Sequence, residues 1–269
     1  MTPSVLITGC SSGIGRATAT AFRSAGWTVY ATARDQSDLA DLAAQGCRTA
    51  TLDVTDQASI DAVVERIIDD TGAIDCLVNN AGVVSIESVE ETTTPAFVEL
   101  FDVNVFGPHR LIRAVVPHMR ARRAGRIINV GSVAGRFPVP LEGAYSSSKF
   151  ALRALSAVLR DELRPFDIPV ILIEPPYIQT RQAEQETRAA NGRAQSPYAA
   201  LYARFERGAR KEYEAAPGPD VVATAILAAA STTRPRHRYP VGYKAWFQGL
   251  LGHLPPRLRY RLWAWNAGS

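Results

Sequence analysis

The sequence of 269 residues contains few cysteines and no long apolar run. Its three cysteines, Cys10, Cys47 and Cys76, lie far apart and form no CxxC pair. Such a sparse, odd set is typical of a reducing compartment rather than of a disulfide scaffold, and the missing partners argue against a zinc site. No apolar run approaches the roughly 18 residues of a membrane span, and the N-terminal segment has no secretory pattern. We therefore expect a cytoplasmic protein without a membrane span.

Charge of either sign is not in large excess, since the formal net charge is +4. The basic residues cluster at 120–126 and 234–238, but no aromatic residues are interleaved with them and no nucleic-acid motif is present. We interpret both clusters as solvated surface and expect no nucleic-acid partner. A mild positive charge can still attract an anionic cofactor.

Short apolar segments alternate with longer helical patterns up to residue 180. The predicted strands are Val5–Thr8, Thr28–Ala33, Arg48–Asp53, Ile74–Asn79, Arg126–Gly131 and Pro169–Glu174, and helices are predicted to begin near Gly13, Ser37, Gln57, Pro95 and Gly143. Most of these strands are continuously apolar, as strands covered on both faces must be. The repeated βα order predicts a single α/β domain with a doubly wound parallel sheet and helices on both faces.

The composition changes after Thr180. Residues 181–216 are polar and helix-prone, and we expect them to form a substrate lid above the core of residues 1–180. A helix near Asp220–Ser231 and a strand near Tyr239–Val241 are predicted next. The extension at 243–269 is rich in Trp, Leu and Arg, and we expect it to enclose an apolar substrate or to build a subunit interface in a homo-oligomer. Packing on the chain's own core and binding to a lipid surface are the alternatives.

A glycine-rich turn joins the first predicted strand to the first helix. Its glycines, Gly9, Gly13 and Gly15, have the spacing Gly-x-x-x-Gly-x-Gly. A chain that turns sharply, approaches a pyrophosphate with bare backbone and then starts a helix needs residues without a Cβ atom. The helix N-terminus offers unpaired N–H groups to the phosphates. The turn therefore predicts a dinucleotide site, which also includes Ser11, Ser12 and Ile14.

Three further residues suit proton transfer. Tyr145 and Lys149 are four positions apart in a predicted helix and so share one face. Ser132 follows a predicted strand, and open α/β sheets bind ligands beyond the carboxyl ends of their strands. Reduction of a carbonyl by hydride creates alkoxide character that a tyrosine hydroxyl can protonate, and a nearby ammonium favours the tyrosinate left behind. We expect Ser132 to hydrogen-bond the substrate oxygen.

These motifs resemble those of the classical short-chain dehydrogenase/reductase family, and the matches extend to Asp53-Val54, Asn79-Asn80-Ala81-Gly82 and Asn104. The resemblance covers residues 4 to about 180 and implies a Rossmann-type fold with NAD(P)-dependent oxidoreductase activity on a carbonyl or secondary alcohol. The glycine turn and the strand at 28–33 are similar to those of hydroxysteroid and retinol dehydrogenases, which implies a lipophilic small-molecule substrate.

The resemblance also implies roles for individual residues. Lys149 would bind the nicotinamide ribose, and Asn104 would hold a water that connects Lys149 to solvent. The other implied cofactor contacts are Asp53 and Val54 beside adenine, Asn80, Ala81 and Gly82 along the cofactor, and Ile178 and Thr180 at the carboxamide. One departure is Pro176, which stands where the family usually has glycine and changes the backbone options of that loop.

The end of the second predicted strand determines the choice of dinucleotide. NAD enzymes usually carry an acidic residue there, whereas this chain has Ala33 followed by Arg34. Arg34 can pair with the 2′-phosphate of NADP, so we expect NADP(H) to be preferred. Because Asp35 comes next, NAD(H) stays possible. Two other functions also stay open, namely a dinucleotide-binding regulator without catalysis and an epimerase or lyase on the same fold.

Overall fold

The computed structural model describes residues 2–180, 193, 195–242, 245–246, 254–255, 257–258 and 261. Seven strands in these ranges form one parallel sheet: β1 (Ser4–Ile7), β2 (Thr28–Ala33), β3 (Arg48–Thr51), β4 (Cys76–Asn79), β5 (Arg126–Val130), β6 (Val170–Glu174) and β7 (Arg238–Pro240). Their order is β3-β2-β1-β4-β5-β6-β7. The chain changes winding direction between β1 and β4, and such a switch point is where open α/β sheets bind ligands.

Helices cover both faces of the sheet. They are α1 (Gly13–Ser24), α2 (Ala40–Ala44), α3 (Gln57–Thr71), α4 (Thr94–Phe101), α5 (Gly107–Arg122), α6 (Gly143–Leu163), α7 (Ala199–Glu214) and α8 (Asp220–Ser231). A π-helical segment, Asp102–Phe106, joins α4 to α5, and a 3₁₀ turn, Val133–Gly135, follows β5. In the described part of the chain, no helix is both long and apolar enough to cross a membrane.

The apolar core has one layer on each face of the sheet. Val5 and Ile7 of β1 pack in the layer that contains Phe22 of α1 and Ile226 of α8. Leu6 points the other way, into the layer that contains Ile60, Leu111 and Leu159 of α3, α5 and α6. Alternate residues of one strand thus feed two cores, which is why the strands are apolar throughout. The predicted doubly wound, Rossmann-type sheet is confirmed.

Several predicted element boundaries shift because polar side chains end the strands early. β3 stops at Thr51 because Asp53 turns back to accept a hydrogen bond from the Thr55 amide at 2.9 Å. β4 begins at Cys76, since the Asp75 carboxylate accepts a hydrogen bond from the Ser4 amide at 2.8 Å. The helix predicted near Ser37 opens as a 3₁₀ turn before α2 begins. Neither the lid residues 181–192 nor most of the extension at 243–269 belong to the described residues.

Candidate active site

The glycine turn leaves no room for side chains at its two outer glycines. A Cβ atom on Gly15 would lie 2.1 Å from the carbonyl oxygen of Gly9, and one on Gly9 would lie 2.8 Å from the Cα atom of Ala81. Gly9 also has a φ of +72°, which favours glycine. The Ser12 side chain does not cap α1, so it leaves the first backbone N–H groups of this helix available at the helix end. This bare cradle fits a dinucleotide pyrophosphate.

The loop after β4 is bonded to this turn by short polar side chains. The Thr8 hydroxyl accepts hydrogen bonds from the amides of Asn80 and Ala81, both at 3.1 Å. The Asn80 side chain in return donates to the carbonyls of Thr8 and Gly9 at 2.8 and 3.1 Å. Asn80 therefore shapes the turn from within. The role of Thr8 was missed at the level of sequence, although its place directly before Gly9 could have indicated it.

Arg34, Asp53 and Val54 lie where the adenosine end of a dinucleotide is predicted. Asp53 accepts hydrogen bonds from the amide and hydroxyl of Thr55 at 2.9 and 2.7 Å. The hydrogen bond from the Thr55 amide makes the largest contribution to lowering the pKa of Asp53 below its ordinary value. Smaller contributions include the charge of Arg34. Val54 is buried and packs against Gly107, where an added Cβ would come within 2.8 Å.

The acidic residue after Arg34 is engaged locally. Asp35 accepts hydrogen bonds from the amide and hydroxyl of Ser37 at 2.8 and 2.7 Å and so caps the 3₁₀ turn that follows β2. These bonds hold the pKa of Asp35 below its ordinary value. Arg34 itself is exposed, and Ala33 is buried at the strand end. The cation is thus the more available of the two charged residues.

Tyr145 and Lys149 lie together at the start of α6. Lys149 Nζ is 5.7 Å from the centre of the Tyr145 ring and donates a hydrogen bond to the carbonyl of Val130 at 3.1 Å. Lys149 is buried, and this burial lowers its pKa to about 8. Val130 ends β5 just before Ser132. The contact between Lys149 and Val130 therefore ties the tyrosine-bearing helix to the strand that leads to Ser132.

Ser132 caps the 3₁₀ turn that follows β5. Its Oγ accepts a hydrogen bond from the Ala134 amide at 3.1 Å, which leaves the hydroxyl proton available for donation. The turn is held on two sides, because the Val133 amide donates to Pro175 and Arg153 donates to the carbonyl of Gly135. The structure thus brings Ser132, Tyr145 and Lys149 to one end of the sheet.

Asn104 lies in the π-helical segment and connects two elements of the site. Its Oδ1 accepts a hydrogen bond from the Val83 amide at 2.9 Å, and its Nδ2 donates to the Val83 carbonyl at 2.8 Å and to Ser148 Oγ at 3.1 Å. Both ends of this amide are bound to protein groups, so its predicted role in holding a water stays a prediction. Gly82 is adjacent: an added Cβ would lie 3.2 Å from Asn104 Oδ1 and 3.6 Å from Lys149 Nζ.

The loop after β6 reaches the glycine turn despite Pro176. Thr180 lies close to Gly13, since its Cγ2 would be 3.0 Å from an added Cβ there. Ile178 is buried, and the carbonyl of Pro175 accepts the hydrogen bond from Val133. Thr180 is therefore near the cradle, and the contacts of Ile178 and Thr180 with a carboxamide stay a prediction.

A buried polar ladder behind the site was missed by sequence reasoning. Asn79 donates to Asn129 Oδ1 at 2.8 Å, and Asn129 donates to Ser156 Oγ at 2.9 Å. All three residues are buried. The ladder joins β4, β5 and α6, and thereby fixes the helix that carries Tyr145. Polar residues at the ends of otherwise apolar strands were the available signal.

The described part of the predicted lid packs against an apolar cluster. Tyr202, Phe205 and Ala209 of α7 form a buried cluster with Leu141, and Val139 packs against it. A second contact is polar: Glu91 accepts hydrogen bonds from Ser88, Ser196 and Tyr202 at 2.6, 2.6 and 2.8 Å. α7 is therefore held close to the start of α6.

Two curated relatives align with most of this chain. A 3-ketodihydrosphingosine reductase from Bacteroides thetaiotaomicron is 33% identical over 238 residues, covering 88% of this chain and 87% of that protein. Estradiol 17-beta-dehydrogenase 1 from Rattus norvegicus is 36% identical over 250 residues, covering 87% and 72%. The profile of the short chain dehydrogenase family matches residues 3–191.

Solved structures give the same assignment. A short-chain dehydrogenase from Streptomyces avermitilis superposes with a TM-score of 0.79 and 35% identity, covering 98% of this chain and 96% of that one. A metagenomic short-chain oxidoreductase in complex with NADP superposes with a TM-score of 0.69 and 27% identity, covering 88% of this chain and 95% of that one. A short-chain dehydrogenase/reductase from Burkholderia phymatum in complex with NAD superposes with a TM-score of 0.76 and 28% identity, covering 88% of each chain. The chain belongs to the short-chain dehydrogenase family and is an oxidoreductase of CH–OH and C=O groups that uses a nicotinamide dinucleotide.

Proposed function

We propose that the protein is an NADP(H)-dependent oxidoreductase that interconverts a carbonyl and a secondary alcohol on a lipophilic small molecule, with Tyr145 as the general acid and base. The observation that carries this proposal is the placement of Tyr145 beside the buried ammonium of Lys149, at the strand end that leads to Ser132. A lipophilic substrate is supported by the apolar cluster of Leu141, Tyr202 and Phe205, which lies directly before α6.

The residues divide the work of carbonyl reduction. When bound, the reduced nicotinamide supplies the hydride, and the glycine turn and Lys149 would hold the cofactor. Ser132 donates a hydrogen bond to the carbonyl oxygen, and Tyr145 transfers its hydroxyl proton to that oxygen as negative charge develops. The Lys149 ammonium stabilises the tyrosinate that remains. In the oxidative direction, the tyrosinate takes the proton from the alcohol.

A substrate panel tests this function. Purified protein with NADPH is offered ketosteroids, retinal, and aliphatic and aromatic ketones, and loss of NADPH absorbance is followed. The proposal expects turnover of at least one lipophilic carbonyl. Tight cofactor binding without turnover of any member would favour the regulator, and altered substrate without net NADPH consumption would favour an epimerase or lyase.

Cofactor preference depends on Arg34. We propose NADP(H) because Arg34 is exposed at the end of β2 whereas Asp35 is engaged by Ser37. Replacing Arg34 by alanine should lower the ratio of kcat/KM for NADPH over NADH about 10- to 100-fold, the range of a charged hydrogen bond. Arg66→Ala, on the exposed surface of α3, is the matched control. An unchanged ratio in Arg34→Ala would place the preference elsewhere.

The extension after Gly242 keeps its predicted roles of substrate enclosure or subunit contact. Among its described residues, Trp246 and Leu258 are exposed, as either role allows. Truncation after Gly242 separates the two: enclosure raises KM for large substrates, and an interface lowers the particle mass in light scattering. The same measurement on the full chain tests the predicted homo-oligomer.

A further inference from the structure

Glu142 is an acidic residue at the active-site helix that the predicted site does not include. It is the N-cap residue of α6, and its carbonyl accepts the Ser146 amide at 2.7 Å as the first hydrogen bond of the helix. Residues 142, 145 and 149 have the spacing i, i+3 and i+7, which places them on one face of a helix. Glu142 therefore shares the face of Tyr145 and Lys149 and stands one turn farther toward the N-terminal end.

The carboxylate of Glu142 has no structural partner among the described residues. It makes no side-chain cap on α6, and neither a hydrogen bond nor an ion pair holds it in that part of the chain. The acidic residues on the facing loop already have partners. Glu87 forms an ion pair with Arg193 at 2.6 Å, and Glu91 accepts hydrogen bonds from three hydroxyl groups. Glu142 is thus the carboxylate of this region that is available to a ligand.

Packed residues flank Glu142, which is itself partly exposed and so accessible to a ligand. Leu141 before it is buried with the lid residues Tyr202 and Phe205, and the Leu141 carbonyl accepts the Glu87 amide at 2.7 Å. Burial raises the pKa of Glu142 to about 7. Leu141 also has a φ of +69°, a strained conformation for a residue with a side chain. A strained residue next to an unpaired acid with a raised pKa is typical of a functional site.

We propose that Glu142 is a substrate-binding residue that accepts a hydrogen bond from a donor group, an ammonium or a hydroxyl, located close to the reacting carbonyl. This inference rests on the proposed role of Tyr145. Three residues of helix span about 4.5 Å along the axis, so the donor belongs roughly two to four bonds from the carbonyl carbon. The substrate class is therefore amino ketones and hydroxy ketones with an apolar remainder.

A matched pair of ketones tests the inference. One carries an amine on the carbon next to the carbonyl and an alkyl chain, and the other carries a methyl group in place of the amine. The wild-type protein should prefer the amino ketone in kcat/KM, because a site built for a donor rejects an analogue without one. Glu142→Gln should reduce this preference at least about tenfold, the loss of one charged hydrogen bond. Glu142→Asp should retain part of it.

Glu162→Gln, at the exposed far end of α6, is the control and should keep the preference. Calorimetric binding of the corresponding amino alcohol and its methyl analogue gives a readout that does not require turnover. Glu142→Gln should weaken only the advantage of the amino alcohol. Equal losses for both ligands would assign Glu142 a structural role, and a wild-type protein indifferent to the amine would also overturn the inference. Glu142-dependent amine binding without turnover of any carbonyl would instead contradict the proposed function.

Discussion

The glycine turn and the predicted lid are held in place by different kinds of contact. In the turn, Gly9 and Gly15 are six positions apart, and their backbones approach so closely that one methyl group would lie 2.1 Å from an oxygen atom. In the lid, Glu91 bonds to Ser196 and Tyr202, which lie 105 and 111 positions away. The turn is a short-range steric requirement, whereas the lid depends on long-range side-chain pairs. The first is visible in a sequence and the second is not.

Among the variants that compare the turn with the predicted lid, the one that disrupts the turn should have the largest effect. Gly15→Ala places a methyl group against the Gly9 carbonyl, so the cradle must shift. A displacement near 1 Å at an active site can lower the reaction rate about 100-fold. We expect kcat/KM for NADPH to fall by at least about that factor, and the dissociation constant for NADPH, measured by cofactor fluorescence, to rise. Gly218→Ala is the matched control because nothing lies within 4 Å of its added Cβ. Equal binding by the two variants would show that the turn is not the cofactor cradle.

Charged residues at the end of β6 allow a test of whether ion pairs also stabilise the cofactor-binding half of the protein. Glu174 is buried and contacts Arg238 at 2.8 Å and Arg136, which follows the Ser132 turn, at 3.7 Å. Glu174→Gln removes the negative charge between two guanidinium groups, and we expect the free energy of unfolding in urea to fall by about 3 kcal/mol. Asp167→Asn, which breaks the exposed pair with Arg123, should cost at most about 1 kcal/mol. Similar losses in both variants would contradict a stabilising role for burial.

The smallest expected effect loosens the lid. Glu91→Gln weakens the bonds to three hydroxyl groups, so KM for a large substrate should rise about 3- to 10-fold while kcat changes less. These bonds hold the pKa of Glu91 below its ordinary value. The contribution of the carboxylate is therefore complete at neutral pH and is lost only as pH falls through the lowered pKa. A matched Glu99→Gln variant on α4 should behave like the wild type, and an unchanged KM in Glu91→Gln would show that the lid does not depend on this acid.

Residues whose role depends on near neighbours could be predicted from the sequence. The strand pattern, the glycine spacing and the interval from Tyr145 to Lys149 are local, and the structure gathers these groups as expected. Residues whose role depends on a distant partner could not. The buried ladder of Asn79, Asn129 and Ser156 joins three elements, and Glu142 follows Leu141, which packs against Tyr202 and Phe205 of α7. Tertiary packing, rather than local pattern, decides such roles.

The central claim is that the Tyr145 hydroxyl transfers the proton in carbonyl reduction, and Tyr145→Phe tests it most directly. NADPH consumption with a carbonyl that the wild type reduces is measured beside NADPH binding, with Tyr239→Phe on the edge strand β7 as the control. We predict that Tyr145→Phe loses about 100- to 10,000-fold in kcat while its affinity for NADPH is retained. Turnover within a few-fold of the wild type would contradict the account.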